Sequence, residues 1–411
     1  MRQVELLIPA GSMEVLKVAV DYGADAVYIG GQQFGLRAKA HNFTIPEIGE
    51  AAAFCHDSGV KLYVTANIFA HNEDLAGIRT YFEQLRPAGV DALIISDPAV
   101  FMLAKEILPD VELHVSTQAN NTNYGIYRFW YDLGATRVVS ARELSLKEIR
   151  EIREHIPEDM EIESFVHGAM CISYSGRCLL SHFLTGRDAN QGACTHPCRW
   201  KYHVVEEKRP GEYFPVEEDD RGTYIFNSKD LCMIGHIPEL FEAGIDSFKI
   251  EGRMKTALYV ATVTRTYRRA IDDYMEDPEL YHRNMPYYLQ EIGKCTYRQY
   301  TTGFYFGKTD ASSQVYDNNE YVKEYTYIGT VEQVGADGSL GFIQRNKFCV
   351  GDRLEAMLFD GTNRELTVRR ILNEKQEPVE AAPHPKEHLT VDVGEKLPVG
   401  TILRRCEQPG G

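Results

Sequence analysis

The chain has 411 residues, with 44 Lys and Arg against 60 Asp and Glu, a formal net charge of −16. A composition 44% hydrophobic and 25% charged is that of a folded globular protein, and it excludes wholesale disorder, collagen-like repeats and a histone-like basic binder. The acidic total argues against general affinity for nucleic acid, although net charge says nothing about local patches.

No run of about 18 apolar residues occurs, so no membrane helix is expected. The opening MRQVELLIPAG lacks a basic stretch followed by an apolar one, which makes the cytoplasm the expected compartment. In a reducing compartment the nine cysteines are expected as free thiols, metal ligands or catalytic groups.

The first 270 residues repeat one rhythm: a helical stretch ends in Gly, and two residues later an apolar strand begins. DYGADAVYIG, DSGVKLYVTA, PAGVDALIIS, DLGATRVVSA and EAGIDSFKIE carry it, with Gly23, Gly59, Gly89, Gly134 and Gly244 as stops. Eight strands are expected: Glu5–Pro9, Ala26–Gly30, Lys61–Ala66, Ala92–Ser96, Glu112–Thr117, Arg137–Ala141, Glu161–His167 and Ser247–Glu251. Helical stretches such as Met13–Tyr22, Ile45–Ser58 and Leu146–His155 separate them. Strands apolar almost throughout are those of a parallel sheet buried on both faces. Eight such units over residues 1–275 fit a (β/α)8, TIM-like barrel. An open doubly wound sheet is the competitor, but no G-x-G-x-x-G follows the first strand.

One insertion, residues 168–246, interrupts the rhythm before strand eight. Insertions at strand C-terminal ends build barrel active sites. Beyond the helix Tyr259–Tyr274, residues 276–320 read as a helical bridge. From 321 to 411 the period changes to two, in YTYIGTVEQV, GSLGFIQR, DRLEAMLF, RELTVRRIL and HLTVDV. Turn signals separate these runs, so a small all-β barrel domain is expected.

The insertion holds Cys171, Cys178, Cys194 and Cys198, and Cys232 follows in SKDLC. Four thiolates on Gly-punctuated loops can enclose one soft metal centre. Structural zinc favours two tight Cys pairs, and only Cys194/Cys198 is one; an iron–sulfur cluster tolerates the irregular spacing. Both metals stay open on spacing alone.

Other polar residues cluster at strand ends. His167 adjoins the end of strand seven, where it could transfer a proton or ligate. In SFKIEGRMK, Lys249, Glu251 and Arg253 alternate onto one strand face, as an anion site or an ion-pair network. Asn67, Asp97, Gln118, Asn120, Arg142 and Glu143 hold equivalent places, and Arg37 lies in FGLRAKAHNF after strand two. Arginine's planar fork suits carboxylate, so Arg37, Arg142 and Arg253 could hold a small di-acid. Charge is also uneven. Lys249 to Arg269 holds six bases and one acid (+5), and Glu206 to Arg221 three bases and seven acids (−4).

ESFVHGAMCISYSGRCLLS (Glu163 to Ser181), LLIPAGSMEVLKVAVDYGADAVYIGG, the FGLRAKAHNF loop, NSKDLC and FKIEGRMKTALYVA resemble the collagenase-like peptidase family U-32, over nearly the whole chain. The resemblance implies an oxygen-independent hydroxylase that uses prephenate and carries a 4Fe–4S cluster. Within the family the chain is most similar to the branch that makes 5-hydroxyuridine at wobble uridine 34 of tRNA. That branch implies Cys171, Cys178 and Cys194 as cluster ligands, with Cys232, or alternatively Cys198, as the fourth. It also implies tRNA and prephenate as partners, without a membrane. On this reading Glu163, His167, Lys249 and Glu251 are the catalytic candidates, and Arg37, Asn67, Gln118, Arg142 and Arg253 bind substrate. Two alternatives stand beside it. One is a collagenase-like peptidase, with zinc or without, although H-E-x-x-H and G-x-S-x-G are absent. The other is a non-catalytic scaffold working with a paralogous family member.

Overall fold

A computed structural model describes residues 3–34, 42–171, 173–174, 177–200, 203–204, 214–215, 227–307, 314–315 and 323–407. Arg37 and, apart from residues 214–215, the acidic stretch 206–221 lie outside the described residues. The chain divides into two compact units.

The first unit takes in Met1–Ser12, Asp25–Arg253 and Arg298–Glu320. Its strands are β1 (Glu5–Pro9), β2 (Ala26–Gly30), β3 (Lys61–Ala66), β4 (Ala92–Ile95), β5 (Glu112–Val115), β6 (Arg137–Val139), β7 (Glu161–Ala169) and β8 (Ser247–Ile250). Neighbours from β1 to β7 pair in parallel, and β8 pairs in parallel with both β7 and β1. The sheet therefore closes into an eight-stranded barrel. Its helices are α2 (Ile45–Asp57), α3 (Asp74–Leu85), α4 (Pro98–Ile107), α5 (Tyr124–Leu133), α6 (Leu146–His155), α7 (Leu180–Thr185) and α8 (Ile237–Glu242).

Local chemistry sets the helix ends. Thr44 with Glu47 and Ser145 with Glu148 form reciprocal capping boxes on α2 and α6. Gly134, at φ +100°, stops α5 and donates to the carbonyls of Trp130 and Tyr131. Asp97, a strand-end candidate from the sequence, caps α4 instead: its carboxylate accepts from the amides of Ala99 and Val100 at 2.8 and 3.1 Å.

Strand ends differ from expectation by one or two residues. β5 stops at Val115, because Thr117–Ala119 turns tightly and Asn120 takes a left-handed φ of +58°. β7 runs two residues longer than expected. The short strand Asp230–Cys232 pairs antiparallel along its end, with Cys232 opposite His167. Tyr300–Thr301 then adds in parallel to Asp230–Cys232, which returns residues 298–307 to this unit.

The second unit takes in Met13–Ala24, Met254–Tyr297 and Tyr321–Gly411. It holds α1 (Met13–Asp21), α9 (Ala257–Glu276), α10 (Pro278–Ile292) and an all-β domain. One sheet of that domain orders Tyr325–Thr330, Ile402–Cys406, Arg353–Met357 and Asn363–Thr367. Another runs Gln333–Val334, Leu340–Ile343, His388–Asp392, Arg370–Leu372 and Pro378–Val379. Ile328, Phe342, Phe348, Leu354, Ile371, Val391 and Leu403 form the core between them.

A buried ion cluster ties the helices to the β domain. The Glu291 carboxylate on α10 meets Arg265 at 2.8 Å, Lys294 at 2.6 Å and Arg404 at 3.0 Å. Burial opposes its ionisation, but Arg404, Lys294 and Arg265 outweigh that and hold its carboxyl at about 2. No helix among the described residues is long and apolar enough to cross a membrane.

Glu291→Ala removes the buried carboxylate that three cations share and leaves Glu355 alone to face Arg404 and Lys294. It is expected to destabilise the second unit by about 3–5 kcal/mol, read as a lower urea midpoint. Unchanged unfolding would show that the cluster is not needed.

Candidate functional site

Charged residues fill the barrel interior in layers. At the N-terminal end lie the first residues of four strands: Glu5, Arg137, Glu161 and Ser247. The Arg137 guanidinium donates to Glu5 at 2.5 Å, to Glu161 at 2.7 Å and to Glu163 at 3.3 Å. Tyr63 and Ser247 also donate to Glu5, at 2.6 and 2.8 Å. Burial opposes ionisation of Glu5, yet the Arg137 charge and these hydrogen bonds hold its carboxyl at about 2. Beside them His114 is fully buried, and burial together with Arg137 lowers its pKa against the opposing pull of Glu112.

One layer higher, Lys249 donates to Glu163 at 2.5 Å, and both are buried. The ammonium sits 4.4 Å from the centre of the Tyr28 ring. Two of the catalytic candidates are thus each other's partners, midway down the barrel. The sequence suggested a Lys249–Glu251–Arg253 ladder on one strand face. The structure divides it, because β8 ends at Ile250 and its register with β7 shifts between Lys249 and Ile250.

At the C-terminal mouth, Glu251 lies 3.6 Å from Arg142. Arg142 donates to the Ala169 carbonyl at 2.7 Å and stacks 3.9 Å over the Phe165 ring. Arg253, also buried, donates to Thr65 Oγ1 at 3.0 Å and reaches Asn42 at 3.5 Å. Gly30 makes room for it, since a Cβ there would stand 2.4 Å from Arg253 Nη1. His167 is buried against Tyr300, with ring centres 5.5 Å apart, and its carbonyl accepts from the Glu251 amide. Asn67 reaches Ser116 at 3.4 Å.

The buried Arg142 Nε and Gln118 Oε1 at this end make no hydrogen bond among the described residues. A buried donor or acceptor left unpaired costs about 1–3 kcal/mol, so such atoms mark a place where a polar ligand improves the structure. The cationic forks and the orphan donor at the mouth suit a carboxylate, and the orphan acceptor suits a hydroxyl or amide.

Nearby, all five cysteines of the insertion region are uncrosslinked and none is fully buried. Cys194 Sγ accepts from the His196 amide at 3.3 Å. Among the described residues no three His, Cys, Asp or Glu side chains converge as metal ligands. The donor set fits a thiolate-held centre in kind, and the segment that carries it begins two residues beyond β7.

The sequence alone did not single out the Glu5–Arg137 layer. The signal was the E-I-E start of strand seven, which puts two acids on one face of a buried strand and requires a cation nearby.

A closed parallel barrel with its polar convergence at the C-terminal mouth, a cysteine-bearing insertion there and an added all-β domain is the architecture of a barrel enzyme. The chain belongs to peptidase family U32: the family model matches residues 11–315, and the family's C-terminal domain model matches residues 323–404. The chain is 42% identical to tRNA hydroxylation protein P1 of Bacillus subtilis, over 98% of this chain and 94% of that one. It is 39% identical to tRNA hydroxylation protein P of Escherichia coli, over 92% and 91% respectively. It is also 39% identical to the 23S rRNA 5-hydroxycytidine C2501 synthase of E. coli, over 67% of this chain and 40% of that one.

Arg137→Ala removes the cation that Glu5, Glu161 and Glu163 share, leaving buried Glu163 to Lys249 alone and Glu5 to hydroxyl donors, and should destabilise the barrel by about 3–5 kcal/mol. Glu5 adds a pH dependence. Its folded pKa of about 2 lies below the ordinary value of 4.5, so its contribution is complete above about pH 5 and is lost as pH falls toward 2. Thermal midpoints recorded across that range should drop for the parent, and Glu5→Gln should flatten the drop. Parallel curves would contradict the assignment.

Proposed function

We propose that the chain is a tRNA hydroxylase that forms 5-hydroxyuridine at the wobble uridine, with prephenate as co-substrate and a 4Fe–4S cluster as cofactor. The observation that carries this reading is similarity over almost the full length of both chains to tRNA hydroxylation protein P1. The chemistry of the barrel mouth supports it. Prephenate is a dicarboxylate, and Arg142 and Arg253 offer two guanidinium forks at one end of the barrel. Arg37 of the loop after β2 is proposed as a third.

Cys171, Cys178 and Cys194, with Cys232 or Cys198, would hold the cluster. Held there, a cluster would supply redox-active or Lewis-acidic iron. The remaining work belongs to the chain. Arg253, braced by Thr65 and Asn42, fixes one carboxylate. Arg142, flattened on Phe165, offers Nε toward the other. Gln118 Oε1 accepts a hydrogen bond from a substrate hydroxyl or amide. His167 and Glu251 are the groups at this level that can hold a proton, and burial around His167 keeps bulk water away. Glu163 and Lys249 close the floor beneath them. The cytoplasm, where tRNA and prephenate are both found, is the proposed compartment.

Three measurements test the reading. Anaerobically purified protein should contain about four iron and four sulfide per chain, and a colourless, iron-free protein after reconstitution would contradict the cluster. With prephenate and unmodified tRNA, reconstituted enzyme should yield 5-hydroxyuridine, and no product with prephenate present would contradict the activity. Arg253→Lys loses the bidentate fork and should raise the KM for prephenate roughly tenfold or more, with a smaller effect on the KM for tRNA. Peptide cleavage that survives loss of every cluster cysteine would favour the peptidase alternative.

A further inference from the structure

Helix α7 is built inside out. Ser181 and Thr185, four residues apart on one face, point inward. Ser181 Oγ lies 3.1 Å from Thr195 Oγ1 and accepts from the Thr195 amide at 3.0 Å; Thr185 Oγ1 donates to the Ser181 carbonyl at 2.7 Å. Ser181 is completely buried. On the opposite side, Leu179 and Phe183 are 66% and 83% exposed. A soluble helix normally turns its apolar side to the core and its hydroxyls to water. Trp200 and Tyr174 of the same segment are each 46% exposed as well.

The charge of this segment departs from that of the chain. Residues 168–200 hold three Arg and one Asp, a net of +2, so the rest of the chain carries −16 − 2 = −18. The segment also reaches the strand ends at the mouth. The Arg177 guanidinium lies 5.1 Å from the centre of the Phe69 ring, just beyond β3. With the amide oxygen of Asn120 turned toward it, Arg177 donates to that residue at 3.0 and 3.2 Å, just beyond β5.

We propose that Phe183 is a stacking platform for an unpaired base of the RNA substrate at the entrance to the barrel, with Tyr174 and Trp200 as further stacking positions of the same segment. The proposal rests on the tRNA reading above and adds the surface that meets the anticodon loop. Exposed aromatic side chains in a segment of net positive charge are the chemistry by which proteins hold single-stranded RNA: bases stack on the rings and cations offset the phosphates. A second protein is a poorer occupant. A six-residue helix is about 9 Å long, which is short for the roughly 800 Å² per partner of a stable protein interface. It matches about three bases stacked 3.4 Å apart.

The test uses full-length protein and a fluorescein-labelled anticodon stem–loop transcript, read by anisotropy, with intact tRNA in parallel. Phe183→Ala should weaken stem–loop binding roughly 5- to 100-fold, the range for loss of one base–aromatic stack. Phe183→Tyr should restore it. Leu289→Ala, which removes an exposed apolar side chain on α10, should leave binding unchanged. Three results overturn the proposal. Phe183→Ala and Trp200→Ala could both bind within twofold of the parent; Leu289→Ala could weaken binding equally; or Phe183→Ala could dissociate a dimer in light scattering without changing RNA affinity, which would assign the face to a second copy. If the parent binds neither RNA, the tRNA reading fails and takes this surface with it. If the parent binds tRNA and Phe183→Ala binds as well, the stacking surface alone fails.

Discussion

Arg137 in the barrel interior is the constraint on which the rest depends. Burying a guanidinium or a carboxylate costs several kcal/mol, and only close, complete pairing offsets it. Here one guanidinium faces Glu5 of β1 and Glu161 and Glu163 of β7, while Lys249 of β8 pairs the far side of Glu163. Those strands meet at the barrel seam, where β8 joins β7 to β1. Removing one charge exposes the others, so the array forces the seam to close in one register.

Closure at the floor decides what happens at the mouth. Charges of the lower layers pair with one another, whereas Arg142 Nε and Gln118 Oε1 at the top make no hydrogen bond among the described residues. The barrel is therefore stable from below and incomplete above, the division of labour common to (β/α)8 enzymes. The cysteine segment leaves from the end of β7, where Asp230–Cys232 and Tyr300–Thr301 extend the sheet. Thiols, arginines and exposed aromatics thus arise within one stretch around the opening.

Much of this was legible in the sequence, for physical reasons. Glycine after a helix followed by an apolar run is a local signal that precedes five of the eight barrel strands, β2, β3, β4, β6 and β8, and all eight begin at the residues expected from the sequence. The crowding of Cys171 to Cys232 is equally local. What escaped depends on contacts between distant residues. Arg137 and Glu5 are 132 positions apart, and no local pattern pairs them. Asp97 reads as a mouth residue until its carboxylate is seen on the amides of α4. The Lys249–Glu251–Arg253 alternation assumes a strand that continues, and the strand ends at Ile250. The total of −16 conceals a segment of opposite sign at the opening.

The most direct measurement is the nucleoside profile of tRNA from cells lacking this chain, digested and read by mass spectrometry. Loss of 5-hydroxyuridine-type nucleosides, restored by the parent gene and not by one in which Cys171 and Cys178 are replaced by alanine, is the expected result. An unchanged profile in cells that carry no second member of the family would contradict the assignment.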